Sequence, residues 1–238
     1  MVWPTRNMNA GFSPALLVLV VLTLPGAAPA EGRFPGAEPS RSAIKSQAKA
    51  DQLYEIGRFE RALFIYKHDL ASIGDKYAQY MIGYMYLSGQ GVTEDPIAAS
   101  AWYRLAAERG YESFVYASEA LYGTLDKQQR ELSDRAFLEL RRQFGDMWIV
   151  GRMLESDIQT LAGRDPLRAI VEPQNRYNVA GNYQSEGYYD DVVERMSRRS
   201  EYLESLLLKD AWIPDPDRES FEALLQRARQ EADSYFVE

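Results

Sequence analysis

GDKYAQYMIGYMYLSGQGVTEDPIAASAWYRLAAERG, residues 74–110, is the stretch whose reading decides the fold. Its apolar positions recur at helical spacing on both sides of a turn that holds two glycines. This predicts a helix from Tyr77 to Leu87, a turn over Ser88–Val92 and a second helix from Pro96 to Arg109. Asp95-Pro96 marks the second start, because an aspartate at the N-cap accepts backbone N–H bonds and a proline at the first helical position loses nothing by lacking a donor. Gly110 suits the left-handed conformation that closes a helix.

The punctuation repeats. Gly74, Gly110 and Gly145 stand 36 and 35 residues apart, each just after a run that reads as helix, and a fixed period of this size points to stacked helix pairs. The pattern Ala78-x3-Ile82-Gly83-x2-Tyr86-x2-Gly89-x-Gly91-Val92-x2-Asp95-x3-Ala99-x2-Trp102-Tyr103-x2-Ala106-Ala107-x2-Gly110 closely resembles the Sel-1-like repeat, a helix-turn-helix relative of the tetratricopeptide repeat. Small residues (Ala78, Gly83, Ala99, Ala106) stand where helix axes must come close, and Ile82, Tyr86 and Trp102 fill what is left. The preceding unit, Ala50-x2-Leu53-x3-Gly57-x-Phe59-x2-Ala62-x3-Tyr66, looks more like a tetratricopeptide repeat turning at Gly57-Arg58-Phe59. The following unit is degenerate: Tyr122, Ala136 and Leu138 match Tyr86, the Ala99 region and Trp102, but Glu119 replaces Gly83 and Leu125 replaces Gly89. The fold this resemblance implies is all-α, a short α/α superhelix of such hairpins with a C-terminal helical cap.

Five segments follow. Residues 1–30 read as a signal peptide, 31–45 as a flexible linker rich in Gly, Pro and Ser, and 46–163 as the repeat domain. Within the last, the stripe Met147, Val150, Gly151, Leu154, Ile158 and Leu161 is expected to stack on the final repeat. Residues 164–187 form an irregular stretch, with at most a short helix after Asp165-Pro166 stopped by Pro173, then a polar loop from Gln174 to Gly187. Residues 188–238 supply two helices, about Tyr188–Lys209 and Pro216–Phe236. They form a cap expected to carry Arg195, Arg198, Arg199, Glu201 and Glu204 outward, since a stacked array must end in a polar face.

The export reading rests on the run from Ala15 to Leu24, apolar but for one threonine. Ten residues rise roughly 15 Å as a helix, about half of a bilayer's hydrocarbon thickness. A cleavable signal fits better than the alternative of an uncleaved anchor, and Ala28-Pro29-Ala30 supplies the small-residue cleavage site, with the mature chain starting at Glu31. With no cysteine, an exported chain has neither disulfide staples nor a thioether lipid. Losing Arg6 from 27 basic residues leaves 26 against 35 acidic ones, a net charge of −9. That balance argues against nucleic acid and anionic membranes, which are held by Lys and Arg, and favours a basic partner face. The expected location is periplasmic or secreted, with no membrane span in the mature chain.

Residues for chemistry are few. His68 is the sole histidine and, without cysteine, builds no zinc site of ordinary composition, so no metal or cofactor is expected. Gly89-Gln-Gly91 lacks the lysine of a phosphate loop. The alternative kept open is a cell-wall or polysaccharide-acting hydrolase with a carboxylate pair, Glu119 or Glu155 facing Asp190 or Asp191, which leaves no local motif. The feature that stands out is 16 tyrosines, densest between Tyr77 and Tyr122. In helix-pair solenoids the first helix of each unit lines the concave surface. That face is expected to present Tyr77, Tyr80 and Tyr84 in the middle unit, Tyr116 in the next, and Asp51 and Tyr54 in the one before, although several of these rings also suit interhelix core. Tyrosine offers rigid area with a hydrogen-bonding tip, the composition of binding hot spots. The resemblance implies a non-enzymatic adaptor that holds a peptide or protein segment of the cell envelope in its groove.

Overall fold

The structure, a computed structural model, describes residues 34–35, 41–163, 176–177, 183–184, 187–209 and 217–237. The leader and cleavage site expected within 1–30, the helix expected after Asp165 and most of 164–187 lie outside the described residues. In chain order the elements are α1 (Arg41–Glu55), α2 (Phe59–Ile65), α3 (Lys76–Ser88), α4 (Pro96–Ala106), α5 (Glu112–Thr124), α6 (Lys127–Phe144), α7 (Asp146–Ala162), β1 (Arg176–Tyr177), β2 (Tyr183–Gln184), α8 (Tyr188–Lys209) and α9 (Arg218–Val237). The fold is all-α, a short array of helix hairpins with a helical cap. Inside the stretch expected to be irregular, β1 and β2 pair antiparallel, Arg176 opposite Gln184 and Tyr177 opposite Tyr183.

The α3–α4 hairpin follows its sequence signals. The Asp95 carboxylate accepts from the Ile97 and Ala98 amides at 2.9 and 3.0 Å, with Pro96 opening α4. That helix stops as α at Ala106 and tightens into a 3-10 turn over Ala107–Arg109, which Gly110 closes at φ +74°. Gly83 sets how near the two helices come: a Cβ there would lie 2.6 Å from the Tyr103 ring. Asp75 caps α3 by accepting from the Ala78 amide at 2.8 Å.

The first unit begins earlier than expected. α1 starts at Arg41, not at residue 46, because Arg41–Lys45 contains no glycine or proline and Ala43 reaches the core. α2 then widens into a π turn over Tyr66–Leu70, which keeps Tyr66 and Leu70 buried.

The third unit departs from a tight hairpin. α4 packs on both α5 and α6, whereas the backbones of α5 and α6 diverge from their connecting turn. Glu119 stands in the place of Gly83, so the small residue that lets α4 close on α3 is missing from this pair at the matching position. The expected match of Leu138 with Trp102 also fails, since Leu138 is exposed and Trp102 is buried. α6 instead applies Ser133, Phe137, Leu140 and Phe144 to the core, a stripe at spacings of four and three that misses 138 by one residue. Ser133 Oγ donates to Ser100 Oγ at 3.0 Å where α4 and α6 meet.

Two cores result. The first joins α1 to α6. The second joins α7, α8 and α9, so the apolar stripe of α7 faces the cap rather than stacking on the last repeat. Arg199, expected to point outward, is buried: its guanidinium pairs with the Asp157 carboxylate and donates to the Met153 carbonyl at 3.3 Å. Nor is the whole of 31–45 a free linker. Phe34 sits edge-on to Tyr202 at 5.7 Å under the guanidinium of Arg109, 3.7 Å away.

Candidate protein-interaction surface

Asp51 and Tyr54 come from the last turn and a half of α1, and Tyr77, Tyr80 and Tyr84 from α3, so the seam between the first and second units gathers five of the six predicted contact residues. Their depths differ. Tyr80 is 1% exposed, stacked between the Tyr103 ring at 5.0 Å and the Phe114 ring at 5.3 Å. Tyr84 is 8% exposed. Neither offers an open face, which corrects the expectation for both. The reason is Gly83: by letting α4 close on α3 it draws the Tyr103 ring across the helix, and the flanking tyrosines fall into the seam. Tyr116 is 58% exposed on α5 but stands outside the ring cluster, because Phe114 takes the place against Tyr80.

Asp51, Tyr54 and Tyr77 are half-buried and define the accessible part of the seam. The Tyr54 hydroxyl donates to Gln90 Oε1 at 2.6 Å, and its ring meets Phe59 edge-on at 5.2 Å. Asp51 accepts from the Tyr66 hydroxyl at 2.6 Å and from Gln47 Nε2 at 3.0 and 3.1 Å. The Tyr66 and Tyr77 rings meet edge-on at 6.5 Å. Burial first, then the charges of Asp51 and Asp75, push the Tyr77 hydroxyl up to about 12. Burial, then Tyr84, does the same at Tyr54, also up to about 12. Tyr66 is raised further, by burial and by its bond to Asp51. All three rings therefore stay neutral at ordinary pH, and their surroundings disfavour a further negative charge.

Gln47 and Gln90 were not among the residues expected in this cluster. Gln90 had a usable signal, since it is the variable residue between Gly89 and Gly91 and lies 36 positions from Tyr54, one repeat away. Gln47 had none.

A second cluster joins the repeats to the cap. Asp146, 2% exposed, accepts from Arg109 Nε and Nη2 at 2.8 and 2.9 Å and from the Tyr202 hydroxyl at 2.9 Å, and lies 3.1 Å from Lys76 Nζ. Lys76 also reaches Glu108 at 2.8 Å and the Leu105 carbonyl at 3.0 Å. Burial alone pushes the Asp146 carboxyl up, but Lys76 and Arg109 outweigh it and hold it below the ordinary carboxylate value. This is an anchor rather than an opening.

Of the carboxylates considered for catalysis, Glu155 and Asp190 are held in structural contacts. Glu155 is held by Arg227 at 2.9 and 3.1 Å, and that bond lowers its pKa, the opposite of what a general acid needs. Asp190 accepts from the Tyr235 hydroxyl at 2.5 Å. Glu119 is exposed on the wall of a cleft of about 370 Å³ between the splayed α5 and α6. His68 is exposed with its ring against Phe64 at 4.4 Å. Among the described residues no group of three or more His, Asp or Glu is placed to hold a metal ion, and no helix is long and apolar enough to cross a membrane.

Stacked hairpins with an aromatic seam between the first two units define a helical repeat protein. Residues 76–111 match the family model of the Sel1 repeat, so the chain carries a Sel1 repeat, and it is the α3–α4 hairpin. Repeats of this family generally mediate protein–protein interaction and are typically non-catalytic. No curated protein matches the chain, and no solved structure matches it.

Proposed function

We propose that this protein is an exported adaptor of the periplasm or the secreted fraction, and that it binds a segment of a cell-envelope protein against the seam between α1 and α3. The observation that carries the reading is the half-buried group Asp51, Tyr54 and Tyr77 at the edge of a Sel1 repeat: rigid rings and hydrogen-bonding tips lie on adjacent helices. Neighbouring helices fix these side chains before a partner arrives, which lowers the ordering cost of binding. The run Ala15–Leu24 and the Ala28-Pro29-Ala30 site support export, with residue 31 as the mature N-terminus.

A photo-crosslinking residue placed at position 54 is expected to give a defined adduct in the native envelope. The same residue at Leu208, which is 75% exposed on the cap, is expected to give none. Equal labelling from both sites would remove the seam from the reading, a chain still beginning at Met1 would replace the cleaved signal by an anchor, and recovery of the protein in the cytoplasm would remove the export.

A further inference from the structure

Two internal ion pairs of this molecule set an arginine against an aromatic ring and a carboxylate together. Arg104 lies 5.3 Å from the centre of the Tyr122 ring and 4.3 Å from that of Phe137, with Asp134 at 2.5 Å. Arg109 lies over Phe34 and is held by Asp146. In both places a guanidinium is set against aromatic rings and faces a carboxylate, the arrangement in which the ring quadrupole and the anion attract the same cation. Asp157 likewise has Arg199.

The seam of α1 and α3 holds the same groups without that partner. Asp51 accepts only from neutral donors, the Tyr66 hydroxyl and the Gln47 amide. The carboxylate of Glu55, exposed one residue past Tyr54, makes no hydrogen bond or ion pair among the described residues. Glu55 follows Asp51 by four residues on α1, and Tyr66, whose hydroxyl donates to Asp51, meets the Tyr77 ring edge-on at 6.5 Å, so these groups share one side of the seam. No arginine or lysine reaches either of them within ion-pair distance among the described residues. The net charge of −8 adds a general attraction for a basic partner.

We infer that the partner segment docks through a lysine or arginine side chain, set against the rings of Tyr54 and Tyr77 and facing the carboxylates of Asp51 and Glu55. This deepens the proposed function and rests on it, because it assigns the chemistry of whatever occupies that seam. The occupant is a protein segment with a basic residue between apolar ones. The rings take its aliphatic stem and the carboxylates its charged head, as a long basic side chain lies along apolar surface.

The test uses three fluorescent peptides identical but for a central pair, Arg-Arg, Ser-Ser or Glu-Glu, titrated against the full mature chain by anisotropy. The Arg-Arg peptide is expected to bind at least about fivefold more tightly than Ser-Ser, with Glu-Glu weakest. Glu55→Gln, at an exposed position that leaves the fold intact, is expected to weaken the Arg-Arg peptide about threefold, and adding Asp51→Asn to weaken it further. Tyr77→Phe should keep the affinity and Tyr77→Leu lower it, separating ring from hydroxyl. The pair Glu201→Gln and Glu219→Gln on the cap removes the same charge far from the seam and should change nothing beyond about twofold.

Equal losses in the seam and cap variants would mean diffuse attraction to an acidic chain, and would overturn the inference. Equal binding of Arg-Arg and Ser-Ser would overturn it too, while leaving the seam as a docking site. Failure of every peptide, with the position-54 adduct still formed, rejects the basic residue alone. Failure of both rejects the docking reading as well.

Discussion

Replacing Asp146 by asparagine tests whether the repeats and the cap are one cooperative unit. The side chain is almost the same size, so the change removes charge rather than volume. In the native protein that charge faces Lys76 at 3.1 Å, both donors of Arg109 within 2.9 Å and the Tyr202 hydroxyl. The substitution leaves Lys76, 4% exposed, with Glu108 as its one anionic partner, and Arg109 with the Gly74 carbonyl, the Phe34 ring and a neutral amide oxygen in place of a carboxylate. Taking one member from a buried ion network costs about 3–5 kcal/mol. At this size each kcal/mol moves the melting point by about 2–4 °C, so a drop of about 6–20 °C is expected by circular dichroism. Because the carboxyl is depressed in the folded state, the wild-type advantage is fully present above the unfolded carboxyl pKa near 3.8 and vanishes as pH falls through the lower folded value. The wild-type and variant melting curves should therefore converge in strong acid. Lys76→Met leaves Asp146 with Arg109 and is expected to cost less. A shift under about 2 °C at neutral pH would show that desolvation cancels the attraction and would refute the anchor.

Two further outcomes follow from the depths of the tyrosines. Tyr80→Ala, which empties a site between two stacked rings, is expected to cost about 3–5 kcal/mol by urea denaturation, whereas Tyr116→Ala on the exposed face should stay within about 0.5 kcal/mol. A small loss at Tyr80 would mean that its ring is dispensable to the core. In an alkaline titration followed by tyrosinate absorbance, Tyr54, Tyr77 and Tyr80 should ionise near 12 rather than 10. Their folded pKa values are raised, so the stability they contribute is complete below pH 10 and is lost as pH climbs toward 12. Unfolding confined to that window is the expected result, and full titration at 10 with the helix content intact would contradict it.

What could be read in the chain was local chemistry. Asp95-Pro96 and Gly110 each specify a helix end through their own backbone and cap, and both ends fall where those residues put them. The seam was legible as a place, since Asp51, Tyr54 and Tyr77 do stand together on its accessible side. Depth was not legible. Whether Tyr80 is wall or core depends on Tyr103 and Phe114, which come from the next two helices and reach it only because Gly83 admits one of them. The Asp146 network was invisible for the same reason: Lys76, Glu108 and Arg109 lie in the Sel1 hairpin, but Asp146 and Tyr202 reach them from α7 and α8, and no motif marks that meeting. Leu138 failed through phase, because a one-residue offset turns a side chain by about 100° around its helix.

The same physics explains why the array stops. A repeat continues when its first helix offers a small residue to the second, as Gly83 does to Tyr103. In the third unit that position is Glu119, and α5 and α6 open. α7 does carry such a residue, Gly151, but it is turned to a different helix: a Cβ there would lie 2.8 Å from the Phe221 ring of α9. The close approach that would have joined α7 to a following repeat helix is thus made with the cap instead. Asp146, in the first turn of α7, then ties that helix back to Lys76 and Arg109 of the Sel1 hairpin. Glu119 loosens the last pair while Gly151 and Asp146 redirect the next helix. Together these three residues turn a propagating stack into a closed one, and leave the seam of α1 and α3 as the tyrosine-rich face that no later hairpin covers.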